Sequence, residues 1–413
     1  MSNCDCGDNP TDDLISIKDA KKILFDNASL IDDSEIVSIK NTTGRILSES
    51  LIAKISVPSF DNSAMDGFAF AFDGITDNNK KIPISNRIPA GKNPAKLDPN
   101  TVARIFTGAC IPEGADTVIK QESCQYDNDN LIIKDMPKKC ANVRYAGEDF
   151  KEQDVLIKQG AIIKPQDQGI AASTGNSNLK VKRKIKIAIF STGDELLDLD
   201  EKISHGKIYD SNRYTLMGLL DNPAIEVIDL GKIKDDYNET KNTLIQAAKI
   251  CDLILTSGGV SVGEEDYIKQ AIMDNGKLNL WRIKIRPGKP LAFGRINNTP
   301  IIGIPGNPVS LFITFLIFVK PYIFHSLGAT DFKQRSYKIP ATFACHKLDK
   351  REEYIRARAV INNKGILELH SFNTRSSGVL TSTTWADGLA KIPPNQTHTI
   401  NDLVDFMPFY GIL

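Results

Sequence analysis

The sequence has no excess of charge of either sign. Its 413 residues include 51 Lys and Arg and 51 Asp and Glu, so the formal net charge is zero. A neutral chain has no general basic field to attract nucleic acid or an anionic membrane, and any charged ligand must be held by local groups. We therefore expect neither a nucleic acid nor a membrane as a partner.

Cysteine and histidine patterns exclude several classes of site. The seven cysteines are scattered, odd in number and without a CxxC pair, which is typical of reduced thiols in a cytosolic protein. Cys4 and Cys6 are separated by one residue and do not match the spacing of a structural zinc site. None of the five histidines stands in a motif, so the sequence predicts neither a histidine-based hydrolase nor a His-rich zinc centre.

Long hydrophobic runs are absent too. The most apolar stretch, VSLFITFLIFV at 309–319, is shorter than the ~20 residues that a membrane-spanning helix needs, and Lys320 and Pro321 are predicted to end it. We interpret it as a buried or interface-facing helix. The segment MSNCDCGDNPTDD at the start is acidic and lacks the basic end and apolar core of a signal peptide, so we expect a cytoplasmic protein.

The chain is long enough for several domains, since single cores seldom exceed about 250–300 residues. Apolar residues at helical spacing predict an amphipathic helix over 16–30 with Ser16 as its N-cap, and a second short helix is predicted over 42–50. A loop is expected around 57–70. Short strands broken by Gly, Pro, Asp and Asn then run to about residue 142 and predict a small all-β insertion.

From Lys184 onward strands alternate with helices, which predicts a parallel sheet with crossover helices on its faces. After Gly328 short strands return and predict a terminal β domain. In parallel sheets ligands bind beyond the carboxyl ends of the strands. The loops at those ends contain nearly all the unusual polar residues of this half, and they are STGDEL, GKIKDD, SGGVSVGEED, RPGKP and IPGNP.

The glycine turn within CDLILTSGGVSVGEED, at 251–266, is the strongest candidate for an anion site. An apolar strand ends in glycines where a helix is predicted to begin, which leaves backbone N–H groups free to bind phosphate. A plain strand-to-helix turn remains the alternative. Carboxylates follow the small and hydroxylated residues of the turn, which suggests a metal ion between acid and anion. The residues concerned are Ser257, Gly258, Gly259, Ser261 and Gly263, then Glu264, Glu265 and Asp266.

Neighbouring loops supply further charged candidates. Glu195 could hold a metal or orient a substrate, although Glu195 and Asp235 could equally compensate charge at a helix N-terminus. Asp266 is better placed to face a bound anion through Mg²⁺. Arg286 and Lys289 bring two cations to one turn and suit a polyanion, with solvated loop charges as the alternative.

Two other motifs allow a purely structural interpretation. In IPGNP, Asn307 could cap a helix and Pro308 could occupy its first turn. Asp66, in FDNSAMDGFA, could serve only to form a turn. The recurring set of carboxylates, small hydroxyls, glycines and a few cations nevertheless favours phosphate-group chemistry assisted by Mg²⁺.

The chain resembles the molybdopterin molybdenumtransferase family of the bacterial MoeA type, which is also similar to the E domain of gephyrin. The resemblance runs from about Ser16 to the C-terminus. It rests on eight motifs in the same order, namely FDNSAMDGFA, RIFTGACIPEGADTVIKQE, NVRYAGED, FSTGDEL, GKIYDSNR, TSGGVSVGEEDY, RPGKPLAFG and IPGNPVS.

The resemblance implies a multidomain α/β plus β fold in an elongated homodimer. A discontinuous mixed linker and dimerisation domain would comprise residues 1–52 and 148–182, with a small inserted β domain at 53–147. A three-layer parallel-sheet domain that binds molybdopterin would cover 183–328. A C-terminal β-barrel-like domain would cover 329–413.

The implied activity is insertion of molybdate into adenylylated molybdopterin, with Mg²⁺ as cofactor and release of AMP, to give molybdenum cofactor. The active site could be shared between the subunits, with the FDNSAMDG loop supplied by the partner chain. The adenylyltransferase that makes the substrate would be a further partner. Tungstate in place of molybdate, and a non-catalytic scaffold role, stay open as alternatives.

Motif matches carry the family's site residues onto this chain. The catalytic set would be Asp66, Thr107, Asp149, Glu195, Asp235, Asp266 and Lys289. Glu195 and Asp266 would lie near Mg²⁺. The region associated with molybdate matches Pro305 and Pro308, within a substrate-binding set that also includes Arg286, Gly306, Asn307 and the residues of the glycine turn.

Three departures from the family pattern concern details. Arg286 stands where many members have Lys, which keeps the charge but replaces an ammonium by a planar fork. Tyr145 and Ala146 stand where some relatives are more basic, so one phosphate contact could be missing. Arg375 stands where relatives often have Gln.

Overall fold

The computed structural model describes residues 14–75, 81–260 and 267–409. Predicted site residues Ser261, Gly263 and Asp266 lie outside these ranges. The first elements are α1 (Ile17–Asp26), β1 (Ser34–Ser38) and β2 (Leu51–Ile52). Ser16 caps α1 as predicted, since its hydroxyl accepts the Asp19 N–H at 3.1 Å. The helix ends at Asp26, earlier than expected, where the Asn27 side-chain amide donates to the Ile23 carbonyl.

The helix predicted over 42–50 is wrong. Gly44 has φ of +79°, a left-handed conformation that interrupts a helix. Ile46 and Leu47 instead form isolated β-bridges to Ile162 and Val181. β-branched and hydroxylated residues dominate this stretch, and such residues favour extended backbone when a partner strand is available.

The inserted region is all β, as predicted. Its strands are β3 (Asn62–Ser63), β4 (Gly67–Phe70), β5 (Ile82–Ile88), β6 (Val102–Ile105), β7 (Thr117–Lys120), β8 (Cys124–Tyr126), β9 (Asn130–Ile133) and β10 (Val143–Arg144). Six of them form one sheet in the order β7-β4-β6-β5-β9-β8, while β3 pairs with β10. Phe68, Phe70 and Leu131 are fully buried against this sheet and form its core.

The chain then returns to the elements where it began. It forms β11 (Val155–Ile157), α2 (Pro165–Ser173) and β12 (Asn178–Lys182). β11 pairs antiparallel with β2, and β12 pairs antiparallel with β1. One small domain is therefore built from two separate stretches of chain, and the inserted sheet lies between them in sequence.

The largest sheet follows. Its region contains β13 (Ile185–Thr192), β14 (Leu196–Leu197), β15 (Ile208–Tyr209), α3 (Ser211–Leu219), β16 (Ile225–Ile233), α4 (Tyr237–Ala247), β17 (Leu253–Ser257), α5 (Tyr267–Asn275), β18 (Gly276–Arg282), β19 (Ile285–Arg286), β20 (Pro290–Ile296), β21 (Thr299–Ile304), α6 (Pro308–Thr314) and α7 (Lys320–Ser326). The sheet order is β16-β13-β17-β21-β20-β18.

The sheet is mixed, so the prediction of an all-parallel sheet is corrected. β16, β13, β17 and β21 are parallel, whereas β20 runs antiparallel to both of its neighbours. A tight turn through Asn297, which has φ of +53°, joins β20 to β21. Asparagine tolerates this left-handed conformation, so a hairpin forms where a crossover helix would be needed for parallel strands.

Helices cover both faces of this sheet. Alternate residues of β13 belong to different cores, with Ile187 and Ile189 on one face and Ala188 and Phe190 on the other. The first face packs against α3 and the helix that starts at Pro308, and the second face packs against α4 and α5. Strands buried on both sides need apolar residues at every position, which explains their continuous hydrophobic runs.

The helix predicted to stop at Lys320 and Pro321 continues to Ser326. A π-helical segment, Phe315–Val319, connects α6 to α7 and ends directly before these residues. Its wider turn accommodates Pro321, which has no N–H to donate and whose ring crowds the preceding turn. Among the described residues, Pro308–Ser326 is long and apolar enough to cross a membrane, but 78% of it is buried in the protein, as in a core helix.

The last region is a second, smaller sheet. It contains β22 (Tyr337–Pro340), β23 (Glu352–Ile361), β24 (Leu367–Ser371), α8 (Thr381–Trp385), β25 (Gly388–Ile392) and β26 (Leu403–Pro408). The order is β19-β23-β25-β26-β22, and β24 pairs with β23. An isolated β-bridge joins Leu369 of β24 to Ala341, which directly follows β22. β19 comes from the preceding region and pairs with β23, which attaches the two regions to each other.

Candidate functional site

The parallel strands β13, β17 and β21 end side by side at Thr192, Ser257 and Ile304. The loops beyond these ends surround a cavity of about 980 Å³. Its walls include Thr192, Gly193, Glu195, Asp210, Asn212, Asp235, Ser257, Gly258, Gly259, Pro305, Gly306, Asn307, Pro308, Gly378 and Leu380. Many of the residues predicted from the sheet-end loops therefore lie around one cavity.

The glycine turn packs directly against the end of β13. Gly258 has φ of +89°, and a Cβ atom there would lie 2.7 Å from the Thr192 carbonyl oxygen. Gly259 has φ of +64°, and its Cβ would lie 2.9 Å from Thr192 Oγ1. Both the backbone conformation and the close approach therefore require glycine. The turn holds the backbone against the cavity, the arrangement expected of an anion cradle.

Asn212, in the first turn of α3, connects two of the loops and was missed in the sequence. Its side-chain amide nitrogen donates to Ser257 Oγ at 3.0 Å and to the Gly306 carbonyl oxygen at 2.6 Å. Asp210 caps the same helix by accepting the Arg213 N–H at 3.1 Å. The cap fixes the start of α3 and so places Asn212 between the glycine turn and IPGNP.

Three polar atoms on the cavity walls are buried and have no hydrogen-bond partner among the residues that the structure describes. They are Thr192 Oγ1, Asn212 Oδ1 and Asp210 Oδ2, the last of which lies 3.7 Å from Arg213 Nε. An unpaired buried polar atom costs about 1–3 kcal/mol. Donor and acceptor groups of a bound ligand would remove this cost, so the cavity fits a highly polar ligand.

Carboxylates from two loops meet on another wall. The Asp194 N–H donates to Asp235 Oδ2 at 3.1 Å, and the Asp235 N–H donates to Asp194 Oδ1 at 3.3 Å. Glu195, next in the chain, lines the cavity and packs over Gly193, where a Cβ would lie 2.6 Å from Glu195 Oε2. The described residues contain no group of three metal-ligating side chains. Mg²⁺ commonly takes one or two carboxylates together with substrate phosphates, so Glu195 and Asp235 fit a partial ligand set.

The predicted cations of RPGKP do not line the cavity, although Pro290 directly after them does. Arg286 faces the C-terminal sheet, where its guanidinium lies 3.5 Å from Asp349 and 3.7 Å from Glu353. Glu353 is buried and also pairs with Arg375 at 2.9 Å. Lys289 is half-buried, and its carbonyl accepts the Ile283 N–H at 3.0 Å. Substrate contacts by Arg286 and Lys289 stay predictions.

IPGNP contributes four residues to the cavity, from Pro305 to Pro308. Asn307 occupies the N-cap position of α6, but its side chain makes no capping hydrogen bond. Pro308 stands in the first turn, as expected. The motif therefore starts the helix and also forms part of the wall, so the two interpretations of IPGNP are compatible.

A loop of the C-terminal region also lines the cavity, and no sequence pattern predicted it. Gly378 and Leu380 line the cavity, and the Ser377 carbonyl accepts the Val309 N–H of α6 at 3.1 Å. Arg356 is 1% exposed and holds the loop, because its Nη2 donates to the carbonyls of Thr374 and Ser376, each at 2.9 Å.

Asp66 and Thr107 lie together in the inserted sheet, and neither lines the cavity of their own chain. Asp66 Oδ1 accepts the Thr107 N–H and the Thr107 hydroxyl, both at 2.8 Å. These two hydrogen bonds, backbone first, lower the pKa of Asp66 below its usual value. Asp149 lies in an exposed loop at the exit of the insertion, where its N–H donates to the Val57 carbonyl. It does not line the cavity either.

Family models match nearly the whole chain. They are the MoeA N-terminal region (domains I and II) at residues 15–175, a probable molybdopterin binding domain at 188–325 and the MoeA C-terminal region (domain IV) at 338–409. The cavity is built mainly from the second match, with its C-terminal wall from the third.

Relatives that match along most of the chain indicate the same family. A molybdopterin molybdenumtransferase of Haemophilus influenzae is 37% identical over 88% of this chain and 91% of its own length. Another, from Nostoc, is 34% identical over 94% of this chain and 92% of its own. The crystal structure of the molybdopterin biosynthesis moeA protein from Pyrococcus horikoshii superposes with a TM-score of 0.82 and 26% identity, over 96% of this chain and 100% of that one. The chain belongs to the molybdopterin molybdenumtransferase family.

Proposed function

We propose that this protein inserts molybdenum from molybdate into adenylylated molybdopterin and releases AMP, which yields molybdenum cofactor. The observation that carries the proposal is the cavity at the strand ends, where the glycine turn, IPGNP and three unpartnered buried polar atoms meet. It is large enough for a drug-sized ligand, since such sites occupy about 300–1,000 Å³. It lies mainly within the region that matches the molybdopterin binding domain.

The chain's own residues suit each part of such a substrate. Backbone N–H groups of the glycine turn other than that of Gly258, which donates to the Ile304 carbonyl, suit phosphate oxygens. Asn212 and Asp210 offer acceptor atoms for the amino and ring N–H groups of a pterin. Catalysis would come mainly from positioning molybdate beside the dithiolene sulfurs of molybdopterin and from neutralising the negative charge of the substrates.

The proposal includes Mg²⁺, with Glu195 and Asp235 as the described residues that would hold it. Asp266, outside the described ranges, is the other predicted ligand. A bound Mg²⁺ would neutralise phosphate charge and orient the phosphates. Both carboxylates lie at the cavity wall, so replacing Glu195 by Gln should weaken Mg²⁺ binding measured directly by calorimetry.

The reaction itself is the main test. Purified protein given adenylylated molybdopterin, molybdate and Mg²⁺ should release AMP in amounts equal to the cofactor formed, and a Glu195→Gln variant should be at least about tenfold slower. Glu49→Gln, which changes an exposed carboxylate outside the cavity, is the matched control. Absence of AMP release from a verified substrate would contradict the proposal, whereas tungstate outcompeting molybdate at equal concentration would change only the metal.

We also propose that the active site is shared between two copies in a homodimer. Asp66 and Thr107 match site positions of the family, yet they lie outside the cavity of their own chain. A heterodimer of an Asp66→Ala chain and a Glu195→Ala chain would contain one intact site of two. It should regain about half of the wild-type activity although each homodimer is inactive. An inactive heterodimer would mean that each chain builds its own site.

A further inference from the structure

A second cavity, of about 800 Å³, lies at the opposite edge of the large sheet. It opens where the small discontinuous domain meets the amino ends of β13 and β16. Its lining residues are Glu35, Val37, Lys40, Asn41, Thr43, Arg45, Arg183, Lys184, Lys186, Pro223 and Glu226. None of them belongs to the candidate functional site, which is at the carboxyl ends of the same strands.

Positive side chains outnumber negative ones in the walls of this cavity, although carboxylates pair with both arginines. Five of the lining residues are Lys or Arg and two are Glu. Lys40 and Lys184 are exposed and have no ion pair within the described ranges. Lys186 is 3.8 Å from Glu226, and both side chains are about half exposed, so water screens this pair strongly.

The two arginines are held in place before any ligand arrives. Arg183 donates to both carboxylate oxygens of Asp252, at 2.7 and 2.9 Å, and to Asp33 at 3.1 Å. Arg45 is 4% exposed and donates to Glu35 and to the Lys182 carbonyl. Fixed guanidinium groups lose little entropy when they bind an anion.

Arg45 also has an unused donor. Its Nε is buried and has no acceptor within the described part of the chain. A buried donor without an acceptor is unfavourable, and an anion oxygen would supply the missing acceptor. This observation is independent of the charge count, and it points to a ligand rich in acceptor atoms.

We propose that this cavity binds a small phosphate-bearing anion with at least two negative charges, bridging the small domain and the large sheet. The cavity lining contains no aromatic side chain that could stack on a base. Recognition therefore concerns the phosphate groups, and the Thr43 hydroxyl and the Asn41 amide can add neutral hydrogen bonds. The site is separate from the proposed active site and does not depend on the proposed function.

Calorimetric titration of the full-length protein with inorganic pyrophosphate tests the proposal. The wild type should show a binding site that is weakened at least about tenfold in a Lys40→Ala/Lys184→Ala variant, because two charge-assisted donors are lost. Lys92→Ala/Lys158→Ala removes the same charge from exposed positions outside both cavities and should bind like the wild type. Identical isotherms for the wild type and Lys40→Ala/Lys184→Ala would overturn the proposal, as would equal weakening in both double variants.

A gain of affinity provides a second test that misfolding cannot imitate. Glu226→Gln removes one carboxylate from the wall and releases Lys186 from its partner. Pyrophosphate should then bind about threefold more tightly at low ionic strength. Unchanged or weaker binding in Glu226→Gln would argue against an anion in this cavity.

Discussion

Asn212 and Gly306 are joined by a hydrogen bond of 2.6 Å from the asparagine side-chain amide to the glycine carbonyl. The same amide nitrogen donates to Ser257 Oγ. One side chain on α3 therefore fixes the distance between the glycine turn and IPGNP. Its Oδ1 is buried and has no hydrogen-bond partner in the described ranges.

Replacement of Asn212 should damage activity more than stability. In Asn212→Asp the side chain keeps its shape but can no longer donate, and its negative charge faces the Gly306 carbonyl. We expect kcat/KM to fall about 10- to 100-fold, since a lost buried hydrogen bond costs about 1–3 kcal/mol. Asn242→Ala, on the exposed side of α4, should have no effect on the rate. Unchanged kcat/KM in Asn212→Asp would show that this connection is dispensable.

Gly258 should not tolerate a side chain. Gly258→Ala combines a left-handed φ with a Cβ placed 2.7 Å from the Thr192 carbonyl oxygen. We expect a loss of about 1–3 kcal/mol in the free energy of unfolding, and substrate binding too weak to measure. Gly218→Ala is the control, because nothing lies within 4 Å of its Cβ inside α3. There alanine should stabilise by about 0.5–1 kcal/mol in urea titrations.

The Asp66 carboxyl should titrate below the usual range. Thr107 donates to it twice, and these bonds favour the ionised form. Thr107→Val removes the hydroxyl donor and should raise the pKa of Asp66 towards its ordinary value, as measured by carboxyl-carbon NMR. Any stability that the pair contributes is present above the ordinary pKa of an aspartate and is lost as pH falls through the lowered one. An unshifted pKa in the wild type would contradict the observed hydrogen bonds.

Lys320 should destabilise the protein at neutral pH. Burial among apolar side chains lowers the pKa of Lys320 to about 8, because desolvation disfavours its charged form. Lys320→Met should raise the free energy of unfolding by about 1–3 kcal/mol at pH 7. Between the folded and unfolded pKa values the unfolded wild type binds more protons, so its stability rises with pH. The advantage of Lys320→Met should therefore shrink between pH 8 and 10.

The control for this prediction is Lys277→Met, which changes an exposed lysine on β18. Urea unfolding at pH 7 and pH 9.5 should give the same difference from the wild type at both values. If Lys320→Met behaved in the same way, the lysine would be fully solvated in the folded protein.

Local patterns predicted much of this structure because their causes are local. The cap at Ser16 followed from capping chemistry, and the order of strands and helices after Lys184 followed from periodicity. The antiparallel direction of β20 was not predicted, because one Asn-Asn turn within a pattern of alternating strands and helices is a weak signal for a hairpin. Pro321 led to a wrong prediction of the helix end, because proline usually terminates a helix. Here the π-helical segment and burial in the core allow the helix to continue.

The parts of the candidate site that lie within a single loop could be predicted from the sequence. The parts that form only where distant segments of the chain come together could not. Glycines and carboxylates at strand ends indicated the glycine turn and Glu195. Asn212 could not be singled out, since its role depends on the position of Gly306, far along the chain. The same holds for Arg356, whose hydrogen bonds to Thr374 and Ser376 exist only after the C-terminal sheet has formed.

The pairing of β1 with β12 has a consequence for how the chain folds during synthesis. Ser34–Ser38 cannot pair with Asn178–Lys182 until the latter has left the ribosome. All strands of the inserted sheet are synthesised between these two segments. The inserted sheet can therefore complete its own core first, whereas the small domain depends on a contact of long sequence separation, which forms slowly. Ser34–Ser38 thus reaches its partner strand only after the whole inserted sheet has been synthesised.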